Sequence, residues 1–178
     1  MMHEAAEFPG EPDGFQRLWT PHRAAYVGRD KEPSGHEPDC PFCSAPKGSD
    51  EEGLIVARGE HTFCVLNLFP YNAGHLLVCT YRHVADYAEL TEEERVEMGE
   101  MTAKAMTVIR SAMSPAGFNL GMNQGQVAGA GIAAHIHQHI VPRWLGDANF
   151  FPIIGRTKAV PALLADTRAQ LAKAWLEC

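Results

Sequence analysis

No stretch of this sequence approaches the roughly 20 consecutive apolar residues that a membrane-spanning helix needs, so it reads as a soluble protein with no membrane partner. It has no excess of positive charge either. The formal net charge is -7, and a protein that coats nucleic acid usually carries a basic stripe to neutralise phosphates. Nucleic acid is therefore not an expected partner, although a local positive field would still admit a small anion. The first thirty residues lack the basic start and apolar segment of a signal peptide, being acidic and broken by Pro and Gly, which points to the cytoplasm. The five cysteines are an odd number, two of them close together as CPFC, and suit a reducing compartment and metal ligation better than a disulfide framework. Internal repeats are also missing.

What remains is globular composition, 46% hydrophobic and 21% charged, in a 178-residue chain long enough to bury one core. Residues 1–39 read as a partly irregular N-terminal arm, with Arg17 to Val27 a short ordered piece and Pro33 to Asp39 a loop. Three runs rich in β-branched and apolar residues follow, Leu54 to Arg58, Thr62 to Asn67 and His75 to Thr80, and predict antiparallel strands. A helix should begin at Thr91, whose pairing with Glu94 forms a capping box, and run to about Met113. On it Met98, Met101, Ala105, Val108 and Ala112 recur at helical spacing as a core face, the methionines as core filler, and Glu97, Glu100, Lys104 and Arg110 are expected to face water. Pro115 and Gly117 end it, Phe118 to Asn123 reads as a strand, and a Gly/Ala loop from Gly125 to Gly131 leads into a strand from His135 to Arg143. Pro161 to Leu176 reads as an amphipathic terminal helix. The fold class is α+β.

The chemistry concentrates in HIHQHIVPRW, residues 135–144. Side chains alternate faces along a strand, so His135, His137 and His139 share one face at intervals of about 6.5–7 Å. Two readings compete. His-x-His on a strand brings ring nitrogens to a catalytic Zn²⁺ with an open position. Alternatively, an imidazole held in one tautomer attacks phosphorus and forms a nucleotidyl-imidazole. Spacing alone does not choose between them.

Cys40-Pro-Phe-Cys43 supplies two thiolates for one Zn²⁺, half the usual ligand set. A redox dithiol is the alternative, but the surrounding βαβ pattern is missing. Cys64 and Cys79 lie in apolar runs and read as core. His75, at a strand start after Gly74, reads as a hydrogen-bonded structural residue. His3, His22, His36 and His61 show no partner pattern and should be exposed, the run Asp50-Glu51-Glu52 should be a solvated turn, and Trp19 and Trp144 read as ordinary packing.

The run His-Ile-His-Gln-His-Ile-Val, with Pro142 and Arg143 after it, resembles the signature of the histidine-triad superfamily. Upstream, LNLFPYNAGHLLVCTYRH, residues 66–83, is similar to that family's stretch ending in Gly-His, an apolar strand and a further His. RLWTPHR near the start and PRWLGDANF after the triad resemble the bacterial branch that includes diadenosine tetraphosphate phosphorylases. The likeness implies a HIT-like fold with an antiparallel sheet of about five strands and helices packed on it, usually as a homodimer. A nucleotide-binding domain over 40–155 and a C-terminal helix over 156–178 packed on it follow.

The resemblance implies His137 as nucleophile at an α-phosphorus, His139 as a phosphate ligand, and His135 as the residue that holds the strand's geometry. It implies Asn67 at the ribose hydroxyls, Asn123 near the phosphate or leaving group, and Phe42 at the border of the base pocket, against a reading of Phe42 as ordinary core. It also completes a structural zinc site from Cys40, Cys43, His83 and His135; no organic cofactor is implied. The loop Gly129-Ala130-Gly131-Ile132 departs from relatives that carry Gln, Ser or Thr there. Main-chain N–H groups of Gly131 and Ile132 are expected to bind phosphate instead, with Gln124 or Gln126 as substitutes. The implied activity is nucleotidyl transfer or hydrolysis, foremost phosphorolysis of diadenosine tetraphosphate to ADP and ATP. Water as acceptor, adenosine phosphoramidates as substrates and a catalytically silent nucleotide-binding module are the alternatives.

Overall fold

The computed structural model describes residues 40–147 and 162–178. The expectations for residues 1–39, which include the arm, its loop, Trp19, His3, His22 and His36, and those for residues 148–161 lie outside them. The elements begin with a one-turn helix α1 (Pro41–Ser44), followed by β1 (Ile55–Arg58), β2 (Thr62–Leu66) and β3 (Leu76–Thr80). The long helix α2 (Glu92–Met113), β4 (Gly117–Gly121), β5 (His137–Arg143) and α3 (Leu164–Glu177) complete them. Among the described residues five strands form one sheet in the order β1-β2-β3-β5-β4, every neighbour antiparallel. The protein is α+β, with helices on the sheet. Among the described residues no helix is long and apolar enough to cross a membrane.

The strand register sorts the sheet into two faces. Cys64 pairs with Val78, and Leu76 pairs with both Leu66 and Ile140. With Ile136, these residues form the main core against Met98, Met101, Ala105, Val108 and Ile109 of α2 and Leu171 and Ala174 of α3. Each large aliphatic side chain so buried contributes about 1.5–3 kcal/mol. Ile109, fully buried, was missed by the spacing argument, whereas Ala112 only flanks the core. On the opposite face, Phe63 pairs with Cys79 and Cys79 with His137, while Val65 pairs with Leu77 and Leu77 with His139. Histidines and a small apolar cluster of Ile55, Phe63, Val65, Leu77 and Cys79 thus share that face. Cys64 and Cys79 are fully buried, as expected of core thiols, and burial pushes both thiols up.

Helix α2 starts as its sequence implies: Thr91 Oγ1 accepts from Glu94 N at 3.3 Å, and Thr91 N donates to Glu94 at 2.8 Å. Such a cap stabilises a helix by about 1 kcal/mol. The helix ends at Ser114 in the left-handed region, φ 50°. One of its supposedly solvated residues, Glu97, needs correction. Glu97 turns toward the β1–β2 turn and accepts from Glu60 N at 2.7 Å, His61 N at 2.6 Å, Thr62 N at 2.6 Å and Thr62 Oγ1 at 2.9 Å. Its partners lie more than thirty residues away in sequence, so helical periodicity cannot reveal them. Gly59 makes the approach possible, because a Cβ there would sit 2.5 Å from the Glu97 carboxylate. Glu100, Lys104 and Arg110 are exposed as expected, Lys104 lying over Trp175 and Arg110 over Phe118. His61 is half-buried rather than exposed, its backbone held by Glu97. The acidic turn is tied down at Asp50 by Arg58 and at Glu51 by Arg168, with Glu52 exposed.

Strand β5 begins at His137, two residues later than the alternation implied. Ile136 N donates to Val84 O at 2.7 Å instead of joining β3. That detour brings the segment after β3 alongside the first histidine. Pro142 is tolerated within β5 because the last pair with β3, Leu76–Ile140, lies before it.

Candidate functional site: a histidine face and a Cys/His clasp

His135, His137 and His139 are all buried, at 0%, 6% and 9% exposure, yet each ring has hydrogen-bond partners. The rings of His137 and His139 meet edge to face with centroids 5.0 Å apart. Their partners fix which nitrogen carries the proton. A carbonyl only accepts, so His137 Nδ1 donates to His135 O at 2.8 Å and its Nε2 keeps the lone pair.

The neighbouring ring is held the other way. The backbone N–H of Tyr71 donates to His75 Nδ1 at 3.0 Å, which leaves the His75 proton on Nε2. His75 Nε2 then donates to His139 Nδ1 at 2.9 Å, so His139 carries its proton on Nε2. Burial, followed by the charge of His137, lowers the His139 pKa to about 4. Burial likewise lowers His137, against the opposing pull of its bond to His135 O. Both rings are neutral near pH 7, one with a lone pair and the other with an N–H donor on Nε2.

His75 is the residue that sequence reasoning undervalued. It is fully buried and hydrogen-bonded, as expected, but its partner is a triad histidine 64 residues away. Tyr71 stacks on His139 with centroids 5.5 Å apart. A second unforeseen anchor is Asp147, which accepts from Arg143 Nε at 2.7 Å and Nη2 at 2.8 Å, from Trp144 N at 3.0 Å and from Asn72 Nδ2 at 2.7 Å. Those bonds, led by Arg143, hold its carboxyl well below the usual carboxylate range. They fasten the loop ahead of His75 to the end of β5.

One end of the histidine row meets the two close cysteines. Cys40, Cys43, His83 and His135 place their ligand atoms within 4.8 Å of one another. His83 Nδ1 and His135 Nδ1 are 3.3 Å apart; Cys43 Sγ lies 3.2 Å from the former and 3.5 Å from the latter, and Cys40 Sγ lies 3.4 Å from His135 Nδ1. Ligands of a tetrahedral zinc at about 2.0–2.3 Å lie roughly 3.3–3.8 Å from each other, so the group has the size and the donor set for that ion. His135 Nε2 donates to Thr80 O at 2.9 Å, leaving Nδ1 bare for a metal. The neighbour of His83, Arg82, is fixed by Glu94 at 2.7 and 3.0 Å and by Glu89 O. Among the described residues the group that could hold a metal takes one triad histidine, not all three.

The remaining expected residues are less tightly gathered. Asn67 is half-buried after β2; its Oδ1 accepts from Phe69 N at 3.0 Å and its Nδ2 lies 3.3 Å from His75 Nδ1. Asn123 is half-buried two residues past the Gly121–His139 pair, and the same register continued would set it level with His137. Phe42 packs against His137 with centroids 4.9 Å apart and against His135 at 5.6 Å. Gly131 is exposed and Ile132 half-buried at the end of a loop whose Gly125 and Gly129 have φ of 77° and 88°. Gln124 Oε1 accepts from Tyr87 N at 2.6 Å and is used in holding that loop, while Gln126 opens a short 3₁₀ turn.

A HIT domain family model matches residues 49–144, the span from the acidic turn to the end of the histidine strand. The chain belongs to the HIT-domain family. Within it, the chain is similar to a Mycobacterium tuberculosis (strain H37Rv) protein named AP-4-A phosphorylase, 50% identical over 93% of this chain and 87% of that protein. It is 31% identical to the Bacillus subtilis protein named Protein hit over 68% of this chain and 81% of that one. A Zn-bound histidine triad family protein from Mycobacterium smegmatis has the same fold, with a TM-score of 0.65, 22% identity and coverage of 80% of this chain and 96% of that one. A hypothetical histidine triad nucleotide-binding protein from Sulfolobus tokodaii matches with a TM-score of 0.64 and 25% identity over 78% of this chain and 93% of that one.

Proposed function

We propose that this HIT-domain protein is a nucleotidyl transferase that works through a covalent bond from His137 Nε2 to an α-phosphorus, with phosphorolysis of diadenosine tetraphosphate as its reaction. The observation that carries the reading is the 2.8 Å bond from His137 Nδ1 to His135 O, which holds the ring in the tautomer a nucleophile needs. In the first displacement the Nε2 lone pair forms the N–P bond as the P–O bond to ATP breaks. His139 Nε2–H donates to the phosphate oxygens where negative charge develops. In the second, an oxygen of inorganic phosphate attacks phosphorus, the N–P bond breaks and ADP leaves. Asn123 and the main chain at Gly131 and Ile132 border the phosphates, Asn67 the ribose and Phe42 the base. The substrate choice rests on the 50% identity to the protein named AP-4-A phosphorylase.

Zinc is the metal we propose for Cys40, Cys43, His83 and His135, on the strength of the donor set and spacing above. Its part is structural: it ties the segment around α1 to the start of the histidine strand. A homodimer and a cytoplasmic location go with the same reading, the former because β4 is an edge strand with Leu120 exposed.

The test is incubation with diadenosine tetraphosphate, with and without inorganic phosphate, alongside His137→Ala. Phosphate-dependent release of ADP and ATP that the variant lacks is the expected result. AMP and ATP formed without phosphate would make the protein a hydrolase, and no turnover would remove the substrate assignment.

A further inference from the structure

The clasp and the nucleophile share a residue. His135 offers Nδ1 to the metal group, anchors Nε2 on Thr80 O, and accepts the His137 Nδ1–H on its own backbone oxygen. They also share a contact. Phe42 lies between the two clasp cysteines on α1, and its ring rests on His137 and, edge-on, on His135. A helix of four residues has no stability of its own. Its cap lacks a side-chain hydrogen bond, and Cys43 N and Ser44 N both fold back onto Cys40 O. Beyond the packing of Phe42 on the small apolar cluster of that face, whatever holds Cys40 and Cys43 therefore helps hold Phe42 against the nucleophile.

We propose that the Cys40/Cys43/His83/His135 clasp is a positioning device for His137, acting through Phe42 and the His135 carbonyl, so that metal occupancy sets the order of the nucleophilic ring. The inference rests on the roles proposed above for His137 and for the clasp. Phe42 acts here as a positioning residue that seats the ring from one side while the carbonyl orients it from the other. Releasing the clasp loosens both at once, because the same two cysteines flank Phe42 and the same histidine supplies the carbonyl, leaving His135 to its bond with Thr80 O and Phe42 to the apolar cluster. A base-pocket wall alone would alter nucleotide binding and leave the ring unaffected.

The experiment uses full-length protein labelled with ¹⁵N-histidine. With zinc bound, His137 should show a single neutral tautomer protonated on Nδ1; after chelation it should show a mixture, reverting when zinc is restored. Phe42→Ala should keep its zinc yet loosen the His137 signal and lower kcat about ten- to a hundredfold, over and above the rise in KM that loss of a base contact brings, as loss of a supporting shell does. Phe42→Leu, which refills the volume, should recover most of the loss. An unchanged His137 spectrum on chelation, an effect of Phe42→Ala on KM alone, or failure of the chain to bind zinc would each overturn the proposal. If the spectra change as expected while no nucleotide turns over, the coupling stands and the catalytic reading falls.

Discussion

The two faces of the sheet place opposite demands on the same strands. On the helix side, Cys64, Leu66, Leu76, Val78 and Ile140 need only fill volume against α2 and α3. On the other side, His135, His137, His139 and His75 are buried too, but their bonds to Thr80 O, to His135 O and between His75 and His139 each have a defined donor and acceptor. Burial is thus used for cohesion on one face and for fixing protonation states on the other. Along β5 the two uses alternate residue by residue, so neighbouring substitutions should separate them.

His137→Ala should reduce turnover by at least about 10⁴-fold, as loss of a covalent nucleophile does, with a far smaller effect on unfolding. Ile140→Ala, three residues on and fully buried on the other face, should cost about 2–5 kcal/mol of stability and leave most of the folded protein's turnover intact. Steady-state kinetics and denaturant titrations on both variants check the pair. If the two profiles were alike, the division between faces would be wrong.

The helix-side face was largely legible in the sequence, because periodicity within one element predicts burial. Met98, Met101, Ala105 and Val108 were found that way, and the Thr91–Glu94 cap was readable from two residues. On the other face, alternation exposed the triad, but not what holds each ring. His75 meets His139 only because β3 pairs with β5 across 64 residues, and β5 starts late only because Val84 O captures Ile136 N–H. The gathering of Cys40, Cys43, His83 and His135 was readable only through resemblance, since no spacing rule brings residue 40 to residue 135.

His75→Phe sharpens the contrast within the histidine face. It fills the volume but leaves His139 Nδ1 without its 2.9 Å donor, so His139 is no longer held with its proton on Nε2. A loss of about 1–3 kcal/mol of transition-state stabilisation is expected, roughly ten- to a hundredfold in kcat. The ¹⁵N spectrum of His139 should show the second tautomer. Wild-type kcat with a mixed His139 tautomer would mean that the proton's position on this ring does not matter to the reaction.

The smallest effect tests a polar anchor that belongs to neither face. Burial pushes the Glu97 carboxyl up, but the donors from Glu60, His61 and Thr62 together bring it below its ordinary value of 4.5. A carboxyl lowered in the folded state contributes stability that is present above its unfolded pKa and lost as pH falls through the folded one. Glu97→Gln keeps an acceptor oxygen but loses the charge that four donors face, and should cost about 1 kcal/mol at neutral pH. Below about pH 4.5 the wild-type protein should lose part of this advantage, so the two denaturation midpoints converge. Glu93 and Glu94, whose carboxyls are also lowered, titrate in both proteins and cancel from the difference. A gap that stayed constant from pH 7 to pH 3 would show that the turn is held by the shape of the Glu97 side chain and not by its charge.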